Sequence, residues 1–125
     1  MSRLELDGLT RAPPIGVRGF TLSLSEIIAY VTAVLGVLGD QFSTRLGLTV
    51  PGVVESNPFT AILIERGLWL PFDLLVLALA VGLPALFIRH TKMEGKWVTL
   101  SFPLLFGAAR LLATVWNLRL FLLGI

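Results

Sequence analysis

Cysteine is absent from this sequence and histidine occurs once, as His90. Disulfides, thiolate metal sites and thiol catalysis are thereby excluded. Charge is scarce as well: 14% of the 125 residues are Asp, Glu, Lys or Arg, against roughly 25% in soluble domains. The few basic residues are spread thinly and form no run, so the net charge of +2 and the pI near 9.7 give no nucleic-acid footprint. No glycine-rich phosphate loop occurs. No lysine falls inside an apolar stretch, which rules out a Schiff-base lysine at membrane depth.

What is abundant is apolar residue content, 55%, with a mean hydropathy of +0.86. A chain of this length and composition reads as one domain, an all-α integral membrane protein. Residues 1–22 are polar, with Pro13-Pro14, Gly16 and Gly19, and read as a loosely folded tail ahead of a single helical membrane domain over 23–125. Glu5 and Asp7 offset Arg3 and Arg11, and no Ala-x-Ala-like site follows the first apolar stretch, so that stretch reads as an uncleaved span.

Three spans are expected, at about 24–48, 68–88 and 98–124. Ser23 and Glu26 have capping-box spacing, which starts the first helix near Leu24 and sets Glu26 at the membrane interface. Asn57-Pro58 has the chemistry of a helix start, with Asn as cap and Pro at the first helical position. The helix it opens, about 58–66, is too short to span and is read as interfacial or re-entrant. Arg89, His90, Lys92, Glu94 and Lys96 read as a polar loop. Arg3, Arg11, Arg18, Arg89, Lys92 and Lys96 fall on one side, against Arg45, Arg66 and Arg119 on the other. That asymmetry predicts a multi-pass protein of the cell membrane with a cytoplasmic N-terminus and an outer C-terminus.

Ionisable residues inside the spans are the informative exceptions, because each costs roughly 2.5–3.5 kcal/mol on insertion scales. At a rise of about 1.5 Å per residue, Asp40, Asp73 and Arg110 come to similar depths in the outer half of the bilayer. Each lies on a stripe of small residues: Ala29, Ala33, Gly36, Asp40 and Thr44; Asp73, Leu77, Ala80 and Pro84; Pro103, Gly107, Arg110, Thr114 and Asn117. Small residues let membrane helices approach closely. Arg110 is therefore expected to pair with Asp40, Asp73 or both. Thr44, Glu55, Asn57 and Asn117 complete the candidate polar cluster, with Glu55 facing the last span. Arg45 and Arg119 are expected to snorkel. Oxygen ligation of a cation by Asp40, Glu55 and Asp73 is disfavoured by the nearby Arg110. No cofactor, metal or catalytic residue is indicated.

Gly39-Asp40-x-x-Ser43-Thr44, followed by Glu55-x-Asn57-Pro58 and Gly67, resembles a family of small bacterial and archaeal polytopic membrane proteins without an assigned activity. The resemblance runs over roughly residues 36–120. Its pattern is Asp-x-x-x-Thr on the first span, Glu-x-Asn-Pro in a turn, and a late Asn that Asn117 supplies. A Lys is common in the family's next span; here Asp73 stands in that span and Arg110 offers the positive charge from the last one. The resemblance implies a fold type and no activity.

Two functional readings fit these residues. In one the chain is an accessory or scaffolding subunit, associating with other membrane subunits or with itself, and the cluster fixes helix packing. In the other it is an oligomeric channel or transporter unit that uses the cluster for an ion, proton or small polar solute. The bilayer is the expected partner in both.

Overall fold

The computed structural model describes residues 22–90 and 96–124. Four helices make up this part: α1 (Leu24–Gly47), α2 (Pro58–Glu65), α3 (Trp69–His90) and α4 (Lys96–Leu123). No strand occurs among the described residues. The helices α1, α3 and α4 are each long and apolar enough to cross a membrane. The polar tail expected over 1–22, apart from Leu22, and Lys92 and Glu94 of the expected loop, lie outside the described residues.

The local signals act as their chemistry dictates. Ser23 Oγ accepts from Glu26 N at 3.3 Å and Glu26 Oε1 accepts from Ser23 N at 3.4 Å, closing the capping box. Asn57 Oδ1 accepts from Phe59 N at 3.0 Å and Thr60 N at 3.5 Å, with Pro58 next to it. Beyond α2, Gly67 takes a φ of +66°, the left-handed conformation that ends the helix without the steric penalty of a side chain. Phe59 of α2 meets Phe72 of α3 edge to face at 5.4 Å, so the short helix rests on α3.

Helix enters the expected loop 89–97 from both sides. Arg89 and His90 finish α3, and Lys96 opens α4. Both extensions are held by hydrogen bonds: Arg89 Nη1 donates to Ala85 O at 2.7 Å, and Lys96 Nζ donates to Ser23 Oγ at 2.7 Å.

The pairing of α1 with α4 is the most extensive in the molecule; α3 touches both more lightly. The reason is the small-residue stripes. Ala33 and Val37 are fully covered, and Gly36 faces Gly107. A Cβ added to Gly107 would stand 2.5 Å from the carbonyl of Thr32, and one added to Gly36 would stand 2.5 Å from Gly107 O. The two backbones meet with no room for a methyl group. Most of the outer surface is apolar, including Leu105, Leu112, Val115 and Leu122 on α4 and Leu75, Leu83 and Phe87 on α3.

Candidate functional site

Arg110 of α4 bonds two carboxylates at once. Its Nη1 donates to Asp40 Oδ2 on α1 and its Nη2 donates to Asp73 Oδ1 on α3. Of the alternatives left by the sequence, the structure takes both. Position follows from the stripes: Asp40 is one turn beyond Gly36, and Arg110 is three residues beyond Gly107, so closure of the glycine contact brings the charges face to face.

Each acid has further donors. Thr44 Oγ1 donates to Asp40 Oδ1 at 3.2 Å, and Asn117 Nδ2 reaches Thr44 Oγ1 at 2.8 Å, Asp40 Oδ1 at 3.4 Å and Ser43 Oγ at 3.5 Å. Gln41 Nε2 donates to Asp73 Oδ2 at 2.6 Å. The Gln41 amide oxygen accepts from Arg45 Nη2 at 3.3 Å, and the Arg45 guanidinium lies 5.7 Å from the Trp69 ring centroid. Arg45 is thus tied back to the bundle rather than simply extended along it. Asp40, Asp73, Gln41, Ser43 and Thr44 are all buried. Buried charges persist only when paired and hydrogen-bonded, and this network meets that condition from three helices.

Glu55 and Asn57 sit beside the network and not within it. Glu55 does not bond Arg110; its Oε1 accepts from Asn57 N at 2.9 Å, a local turn contact. Its expected orientation toward the last long helix is met only as shared lining. Glu55 borders one cavity of about 120 Å³ with Trp116, Asn117 and Leu120, and a second of about 220 Å³ with Asp40, Asn57, Thr60, Trp69, Arg110 and Asn117. Among the described residues no group of three or more His, Asp or Glu side chains is placed to hold a metal ion.

A second polar network lies at the opposite end of the bundle. Glu26, expected at the interface, is 3% exposed. Its Oε2 accepts from Tyr30 OH at 3.0 Å and from Arg89 Nη1 at 3.1 Å, and its Oε1 accepts from Ser23 Oγ at 3.3 Å, the hydroxyl that Lys96 also bonds. By composition Arg89 and Lys96 belong to a loop, and nothing in the sequence points to this network. Gln41 and Ser43 were left out of the cluster too, although a glutamine next to Asp40 in an apolar helix was a usable signal. Glu26 and Asp40 are fourteen residues apart in one helix, about 21 Å.

The geometry defines a small all-helical bundle, three of whose helices have membrane-crossing length and apolarity, tied at two levels by buried polar networks. The chain belongs to the family described as a domain of unknown function, DUF5658, whose model matches residues 30–123. A family without an assigned activity is what the motif resemblance implied. No curated protein and no solved structure matches the chain.

Proposed function

We propose that this protein is a multi-pass membrane subunit that acts by docking against other membrane helices, with the Asp40–Arg110–Asp73 cluster fixing the packing of its own three spans. The carrying observation is the closed contact between Gly36 and Gly107. On the α1–α4 face it separates the two polar networks with a backbone contact in which even a methyl does not fit. Two further facts support the reading. The carboxylates of Asp40 and Asp73 are both engaged by Arg110 and by neutral donors. The outward faces of α3 and α4 are almost wholly apolar, as a surface facing lipid or other helices must be.

In this reading the Asp-x-x-x-Thr and Glu-x-Asn-Pro segments are the family's structural signature, N-terminus cytoplasmic and C-terminus outside. The absence of cysteine makes topology simple to test. Single cysteines at Glu5 and Met93 are expected to label from the cytoplasmic side and one at Ser56 from the outer side; labelling of Glu5→Cys and Ser56→Cys from the same face would refute it. The docking role is tested by purification in mild detergent with mass spectrometry of what co-purifies. The variant with Asp40, Asp73 and Arg110 all replaced by leucine is expected to keep the same partners or the same oligomer. Cation or proton flux in liposomes that wild type supports and this variant lacks would overturn the reading.

A further inference from the structure

The cleft of about 220 Å³ beside the Asp40–Arg110 pair draws its walls from every helix and from the α1–α2 connection: Asp40 and Thr44, Glu55 and Asn57, Thr60, Trp69, and Arg110 and Asn117. Small-molecule sites characteristically combine a concavity with a few convergent polar groups. What distinguishes this one is which of those groups are already engaged. Asp40 is taken up by Arg110, Thr44 and Asn117. Glu55 is not: only its Oε1 is occupied, by Asn57 N, and among the described residues it makes no ion pair.

The charge balance points the same way. Of the charged groups that line the cleft, Asp40 is paired with Arg110, whereas Glu55 has no cationic partner among the described residues. The unpaired charge on the wall is that of the half-buried Glu55. The neutral groups on the same walls have spare capacity among the described residues. Asn57 uses its oxygen for capping, which leaves its Nδ2 to donate. Asn117 uses its Nδ2, which leaves its Oδ1 to accept. The Thr60 hydroxyl and the Trp69 indole N–H complete the set.

We infer that this cleft binds a small primary-ammonium solute that also carries a hydrogen-bond acceptor, its ammonium on the Glu55 carboxylate and its acceptor on Asn57 or Trp69. A divalent ion is disfavoured because Glu55 is the one lining carboxylate without a cationic partner among the described residues and Arg110 faces the same space. An ammonium with N–H donors fits Glu55, Thr60 and Asn117 Oδ1 together; a quaternary ammonium has no donor to offer. The same chemistry exists as a free amino alcohol and as an ethanolamine lipid headgroup. This inference does not depend on the docking role, since its test needs no partner.

The test is thermal unfolding of the full chain at constant ionic strength, with ethanolamine as the probe and choline, sodium chloride and ethylene glycol as controls. Ethanolamine at ten times its apparent Kd is expected to raise the midpoint saturably by about 5 °C. Glu55→Gln should lose the shift and Thr60→Val should weaken it, each compared with the same variant lacking ethanolamine. A Glu55-dependent shift from free ethanolamine assigns the site to a free solute. One seen only in nanodiscs of phosphatidylethanolamine, against phosphatidylcholine of the same chains, assigns it to the headgroup. No shift in either setting, an equal shift with choline or salt, or a full shift retained in Glu55→Gln overturns the inference. Should Glu55→Gln not fold, a full shift retained in Thr60→Val overturns it equally.

Discussion

The two polar networks tie the same three helices with opposite charge patterns. Near the start of α1 a single acid, Glu26, meets Arg89 directly and Lys96 through Ser23. Near the end of α1 a single cation, Arg110, meets Asp40 and Asp73. The difference follows from side-chain length. A surplus lysine brings three donors on a long stem, so it can sit at a helix end and reach inward. A surplus aspartate is short and accepts only, so donors must be carried to it. Gln41 serves Asp73, while Thr44 and Asn117 serve Asp40. The acid-rich network therefore needs more neutral polar residues inside the bundle than the base-rich one.

This contrast ranks the expected effects of mutation. Arg110→Leu strands two carboxylates and is expected to destabilise by about 3–5 kcal/mol. Adding Asp40→Asn or Asp73→Asn should recover part of that loss in a denaturation series. An Arg110→Leu variant as stable as wild type would remove the basis for treating the networks differently. Arg89→Leu strands only Glu26, which keeps Tyr30 and Ser23 as donors; a loss of about 2 kcal/mol is expected. Gly107→Ala probes the layer between the networks. Its methyl meets Thr32 backbone and forces α1 and α4 apart, for about 1–3 kcal/mol. Cross-linking yields between cysteines on α1 and α4 should fall at both levels together. Asn57→Ala touches neither network and should cost about 1 kcal/mol through loss of the cap.

Much of the bundle was legible in the sequence because its signals are local or periodic. Ser23 with Glu26, and Asn57 with Pro58, mark helix starts by chemistry that acts within one turn. The small-residue stripes mark which faces meet, and helical rise alone brings Asp40, Asp73 and Arg110 to one depth. What sequence could not give was where ends meet in space. Arg89 reads as a loop residue until α3 is seen to pass Glu26, sixty-three positions away in the chain. Glu55 reads as a member of the cluster because it follows Asp40 in the motif. Its carboxylate instead folds back on the Asn57 N–H, two residues on.

The pairing of α1 with α4 also sets an order of assembly. Asp40 and its guanidinium partner are separated by 70 residues, and Asp73 precedes the same arginine by 37. During synthesis both acids are made before the group that neutralises them. In the membrane reading, α1 and α3 reach the bilayer as half-finished elements whose carboxylates have no cationic partner until α4 arrives. The last helix to emerge is then the one that locks the others, and a ribosome halted before Arg110 would hold a chain that quality-control proteases can distinguish from the finished bundle.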